Sequence, residues 1–287
     1  MTVVRDFAAL PAHERDAAYD NTRAVHDSAR QLRAFDERSG RMAALGHAQL
    51  DIRYGPSERQ VFDFFPGNQE EPTLLFIHGG YWQMRHKNTF RFIAEGANQH
   101  GLHVALLGYT LAPQSSLRGI VEQVGMGIAA VASHARHEGG SGKILLCGWS
   151  AGGHLAAMAL ASPDVVAGLG VSGIYDLEPI RHTYLNQALG LDAGEAQALS
   201  PIALPACGKP FVIAHGAAEL PHLQAQSTAF AAYRQLCPGA VIAVPGADHF
   251  SILNALAAPQ GLLLQALITT AANHPHGLGA QPGACAG

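Results

Sequence analysis

Apolar positions change their period along the chain, and each change marks a different kind of element. Residues 13–45 are polar, helix-prone and rich in Ala, Arg and Asp. They predict an N-terminal helical arm, residues 1–45, that lies on a domain rather than in its core. Ala48–Tyr54 and Gln60–Phe65 then alternate apolar and polar, with the turn residues Tyr54-Gly55-Pro56-Ser57 between them. That is a β-hairpin pattern. Six short, continuous apolar runs follow: Thr73–Ile77, Val104–Leu107, Ile144–Cys147, Val165–Val171, Phe211–Ala214 and Ala240–Val244. Strands buried on both faces of a parallel sheet read this way. Helical periodicity fills the intervals. Leu117, Ile120, Val121, Val124, Ile128 and Val131 share one face; Leu155, Met158, Ala159 and Leu160 follow the third run; Leu223, Phe230, Tyr233 and Leu236 mark a later helix. The alternation predicts an α/β architecture, a mostly parallel central sheet flanked by helices, in one domain spanning 1–287. The Gly/Pro-rich tail, 271–287, is expected to be disordered.

Composition narrows the function classes. Hydrophobic residues make up 48% of the 287 and charged residues 14%, enough for a large core without staples. With 18 basic and 22 acidic side chains the net charge is −4, which provides no basic stripe for nucleic acid. No apolar run is long enough to span a membrane, and the first twenty residues lack the pattern of a signal peptide, so a cytoplasmic protein is expected. Cys147, Cys207, Cys237 and Cys285 are too scattered for a zinc ribbon or redox pair, and there is no HExxH. Gly125-Met126-Gly127 falls mid-helix without a dinucleotide fingerprint. No metal and no cofactor are expected. The partner is a small-molecule substrate, with no nucleic acid and no membrane, and a homodimer is left open.

The chemistry centres on Gly148-Trp149-Ser150-Ala151-Gly152, a G-x-S-x-G entered by a buried strand and left by a helical stretch. Strand–turn–helix around the serine is the geometry of a nucleophile elbow. Flanking glycines remove Cβ atoms that would clash in so tight a turn, and the helix start favours developing negative charge. Ser150 is the expected nucleophile. His78-Gly79-Gly80-Tyr81-Trp82 follows the first central strand, where a glycine loop supplies backbone N–H groups to an oxyanion. The expected donors are Gly80, Tyr81 and Ala151, with His78 structural.

A histidine base should follow the last strand, and His249 does. Among the other histidines, His100 and His103 flank a helix–strand junction, His134 and His137 lie on the polar side of a helix, and His274 and His276 fall in the tail. Glu219 is the one carboxylate between the last two strands, giving the order Ser150, Glu219, His249. Asp176, one strand earlier, and Asp248, beside the histidine, are the rivals for the acid.

These motifs resemble the kynurenine formamidase (arylformamidase) branch of the α/β hydrolases, from about Tyr19 to Ser251. HGGYW at 78–82 is similar to the branch's oxyanion motif and GWSAGGHLAA at 148–157 to its elbow. SGIYDLEPI at 172–180 with LSP at 199–201 resembles the lead into its cap region. GAAELPHL at 216–223 resembles its acid loop, where aspartate is more usual, and DHF at 248–250 its histidine turn. YTLAP at 109–113 is shared more widely, with hormone-sensitive-lipase-like esterases. The resemblance implies the α/β-hydrolase fold and release of a small acyl group from an aromatic amine or alcohol, as formate is released from N-formylkynurenine. Trp82, Trp149, Tyr175 and Phe250 sit in site segments, as does Tyr81, and are expected to wall an aromatic substrate. A general carboxylesterase or thioesterase is the second reading, and a non-catalytic ligand receptor of the same fold the third.

Overall fold

The computed structural model describes residues 7–274. Helices α1 (Ala12–Ala17), α2 (Asn21–Ala24) and α3 (Ser28–Ala43) precede the sheet. The hairpin follows as β1 (Gln49–Arg53) and β2 (Val61–Phe65), paired antiparallel. Then come β3 (Thr73–Ile77), a 3-10 turn (Lys87–Ile93), α4 (Ala94–Gln99), β4 (His103–Leu107), α5 (Leu117–His137) and β5 (Ile144–Trp149). After these lie α6 (Ala151–Met158) and β6 (Val165–Val171), then a run of short helices, α7 (Glu178–Arg181), α8 (Asn186–Leu189) and α9 (Ala193–Ala198). The last part holds β7 (Phe211–Gly216), α10 (Pro221–Tyr233), β8 (Val241–Val244), α11 (Asn254–Ala257) and α12 (Leu262–Asn273).

The eight strands form one sheet in the order β1-β2-β4-β3-β5-β6-β7-β8. From β4 to β8 every neighbouring pair is parallel, and β1 and β2 complete the sheet antiparallel. Strands β3, β4 and β5 are buried at every position, which is why they read as apolar runs. Strand β2 is also buried throughout, although Asp63 gives it the alternating pattern of a half-exposed hairpin strand. Strand β8 is different: it is the sheet edge, and its Val241 is 56% exposed. Two apolar layers sandwich the sheet. Leu117, Ile120 and Val124 of α5, Leu155 of α6 and Phe230 of α10 fill one; Ala94 and Ala97 of α4 and Leu263, Leu264 and Leu267 of α12 fill the other.

The N-terminal arm departs from its expected place outside the core. Tyr19 is buried in the first layer, and Phe35 and Met42 of α3 in the second. The polar majority of α3 masks the few large apolar residues that anchor it. Arg38 pairs with Glu95, and the Ser39 hydroxyl donates to the Thr89 carbonyl at 2.8 Å, so polar contacts fix the docking angle. At the other end, Ala271, Ala272 and Asn273 of the expected disordered tail complete α12; residues 275–287 lie outside the described residues.

A buried charge cluster sits beneath the hairpin. The Lys87 ammonium and the Arg91 guanidinium both meet the fully buried Asp63 carboxylate, and Lys87 also reaches Asp51 at 2.7 Å. Among the described residues no single helix is long and apolar enough to cross a membrane.

Candidate active site

Strand β5 delivers Ser150 at its C-terminal end, and α6 starts at the next residue. The serine backbone stands at φ 57°, ψ −121°, a conformation that only a tightly supported turn holds. Two glycines allow it. A Cβ on Gly148 would lie 1.9 Å from the Gly152 carbonyl oxygen, and one on Gly152 2.0 Å from the Ile77 oxygen. Strand β3 and helix α6 thus meet backbone to backbone, with the serine hydroxyl held above them.

Ser150 Oγ lies 3.2 Å from His249 Nε2, and His249 Nδ1 lies 3.4 Å from Glu219 Oε2. All three side chains are buried. Glu219 sits in the turn between β7 and α10. Its Oε1 accepts the Gly216 N–H at 2.8 Å and the Ser172 hydroxyl, which leaves Oε2 facing the imidazole. An imidazole that donates from Nδ1 to this carboxylate presents a lone pair at Nε2 to the serine hydroxyl. The second spacing is at the long end for a hydrogen bond. The loop that carries His249 is tied down by Trp149, whose indole N–H donates to the His249 carbonyl at 2.8 Å.

The rival acids are occupied elsewhere. Asp176 Oδ1 accepts the Glu178 N–H at 2.9 Å at the head of α7, and burial pushes its pKa up. Asp248 Oδ1 accepts the N–H groups of Phe250 and Ser251, and its Oδ2 accepts from Gln31 of the arm at 3.0 Å.

The loop after β3 turns sharply across the serine. Gly80, Tyr81 and Trp82 all have positive φ, at 109°, 49° and 59°. The Gly80 carbonyl accepts from both Gln83 and Met84 at 3.0 Å. The N–H groups of Gly80, Tyr81 and Ala151 have no hydrogen-bond partner among the described residues, an arrangement open to an incoming anionic oxygen. His78 behind the loop is buried and stacks on Tyr109 at 4.4 Å. Its Nδ1–H donates to the Gly79 carbonyl at 2.7 Å, and burial depresses its pKa to about 3, so it stays neutral.

A cavity of about 30 Å³ opens at the serine, bordered by Asn21, Tyr81, Arg85, Trp149, His249 and Phe250 among others. Trp149 and Phe250 are therefore at the site. Trp82 and Tyr175 are not, which corrects the expected aromatic wall. Trp82 is fully buried, edge-on to His154 of α6 at 5.1 Å, and Tyr175 stacks on Phe230 of α10 at 4.1 Å. Both fill the core, the commoner fate of a large ring.

Sequence reasoning missed four contributors. Ser172, just past β6, orients Glu219. Asn21 and Thr22 reach the cavity from the arm, and Asn21 Nδ2 donates to the Tyr81 hydroxyl at 2.9 Å, which itself donates to the Tyr19 carbonyl. Arg85 lies at the rim. Ser172 opens the SGIYDLEPI segment, where nothing in the sequence marks it as a partner of Glu219; no motif covers Asn21, Thr22 or Arg85, and the arm is brought to the site by docking rather than by sequence proximity. Among the described residues no cluster of His, Cys, Asp and Glu suited to a metal is found.

Comparison with known proteins bears on the fold and the family. Residues 74–251 match a family model described as the alpha/beta hydrolase fold. The chain is 30% identical over 249 residues to a kynurenine formamidase from Danio rerio, covering 79% of this chain and 83% of that protein. It is also 30% identical to a kynurenine formamidase from Salmo salar, over 78% of this chain and 82% of that one. Among solved structures, a candidate thioesterase from Silicibacter sp. TM1040 superposes with a TM-score of 0.82 at 27% identity, covering 89% of this chain and 99% of that one. The chain is a hydrolase and belongs to the α/β-hydrolase family, in its kynurenine formamidase-like branch.

Proposed function

We propose that the chain hydrolyses a small acyl group from an aromatic amine, as in an N-formylkynurenine-type formamide, with Ser150, His249 and Glu219 as its triad. The observation that carries the reading is His249 standing between the serine hydroxyl and the Glu219 carboxylate. Ser150 Oγ attacks the formyl carbon while its proton passes to His249 Nε2. The carbonyl oxygen becomes an oxyanion facing the N–H groups of Gly80, Tyr81 and Ala151. Collapse breaks the C–N bond, and the amine leaves with the proton from His249. A water molecule, deprotonated by the same imidazole, then cleaves the formyl-serine ester and releases formate. The Glu219 carboxylate orients the imidazole and balances the imidazolium that forms.

The size of the cavity favours a short acyl group. About 30 Å³ is close to the volume of one water, which suits a formyl group better than a long acyl chain. Similarity to the kynurenine formamidases supports the formyl amide, and Trp149 and Phe250 offer rings against which an aromatic leaving group packs. The second reading, a carboxylesterase or thioesterase using the same three residues, is favoured by the 27% identity to the candidate thioesterase. A panel of N-formylkynurenine, 4-nitrophenyl acetate and a short acyl-thioester separates them. The expected result is the highest kcat/KM on the formamide, with Ser150→Ala losing on the order of 10⁴-fold or more on every substrate. Near-wild-type turnover by that variant overturns the assignment of the nucleophile.

A further inference from the structure

Arg85 is the one cation that borders the serine cavity, and its guanidinium makes no hydrogen bond or ion pair with any described residue. Other arginines nearby are engaged: Arg59 donates to the Tyr109 and Arg85 carbonyls, and Arg91 is paired with Asp63. Arg85 is also half-buried rather than free in solvent, so burial disfavours its charge. The exposed Asp36 carboxylate is near enough to act on it electrostatically but lies beyond ion-pair distance.

Its position is built rather than incidental. The backbone at Arg85 holds a positive φ of 76°, and its carbonyl is fixed by the Arg59 guanidinium at 2.6 Å. The side-chain stem packs on the oxyanion loop: a Cβ at Gly80 would come within 2.7 Å of Arg85 Cγ. A half-buried guanidinium held beside the oxyanion loop, with five donors and no acceptor, lacks only an anion. The carbonyl oxygen under attack is not that anion, since it faces the backbone N–H groups of Gly80, Tyr81 and Ala151.

From this arrangement we infer that Arg85 is a specificity-determining residue, which binds a carboxylate carried on the leaving-group side of the substrate. The inference deepens the proposed function and rests on it. The acyl group occupies the small cavity at Ser150, the aromatic ring lies by Trp149 and Phe250, and the carboxylate reaches the rim. Charge-assisted pairing with a guanidinium adds both affinity and orientation. It also separates this site from an esterase that takes neutral esters, because a neutral leaving group leaves the guanidinium without a partner.

Two matched pairs of substrates test this: a formanilide with and without a ring-borne alkyl carboxylate, and a phenyl acetate with and without the same group. The readout is the ratio of kcat/KM for the carboxylated over the neutral member. Wild type is expected to prefer the carboxylated member, and Arg85→Gln to reduce the ratio by about tenfold or more, mainly through KM. Arg85→Lys, which keeps the charge and loses the fork, is expected to retain part of the ratio, and the wild-type preference to shrink as salt rises. A ratio unchanged in Arg85→Gln, or equal losses on both members, overturns the inference. If wild type cleaves only the acetates, the formamidase reading fails while the ratio on the ester pair still decides the role of Arg85.

Discussion

At the residue scale, the acid is the member of the triad that sequence order alone left contested. Glu219 is a methylene longer than aspartate, and the fold accommodates it with the Ser172 hydroxyl and the Gly216 N–H, both aimed at Oε1. The free oxygen is then left to the imidazole. Losing an orienting carboxylate permits the wrong imidazole tautomer, a change worth about 10⁴ in a serine protease. Glu219→Gln is therefore expected to lower kcat by at least ~10². Asp176→Asn, which disturbs only the head of α7, is expected to fall far less. Steady-state kinetics on one substrate compares the two, and a larger loss in the Asp176 variant would make that residue the acid.

At the scale of elements, the elbow depends on three segments meeting without side chains between them. Gly152 on α6 faces the Ile77 carbonyl of β3, where an added methyl group has only rigid backbone to displace. Gly152→Ala is expected to destabilise the protein by about 1–3 kcal/mol, as overpacking does. Urea denaturation monitored by tryptophan fluorescence measures it, and an unchanged midpoint would mean that the sheet yields more easily than the contact implies. This junction was legible in the sequence because the motif and its flanking apolar runs are contiguous. Strands β3 and β6 fall where their unbroken apolar runs place them, for the same local reason. What was illegible depends on distant segments meeting. Nothing near Lys87 announces that it is buried against Asp63, since each reads alone as a surface charge. Trp82 and Tyr175 stand beside site motifs, yet their rings turn into the core. The exposed face of β8 follows from its being the sheet edge, which an apolar run does not reveal.

For the whole molecule, two buried imidazoles make stability depend on pH. Burial depresses His78 to about 3 and His154 to about 4, while an unfolded histidine titrates near ~6.5. The unfolded chain then takes up protons on acidification that the fold refuses. The associated stability is complete above about pH 6.5 and is lost as pH falls towards 4, on the order of 3 kcal/mol for His154. Tm is expected to fall across that window, and His154→Gln to flatten the slope; an identical slope in the variant would place the titration elsewhere. The arm adds a dependence of another kind. Gln31 meets Asp248, and Arg38 meets Asn254, across separations of 217 and 216 residues. On a ribosome the arm emerges well before the loop it must grip, which is still some two hundred codons away. Tyr19, Phe35 and Met42 have no core to enter until the sheet behind them exists. Contacts so far apart in the chain close late, because the long loop between them must be ordered first. Asn21 and Thr22 border the cavity, so the substrate site is finished by a segment synthesised well before the last strands, and only after those strands have formed.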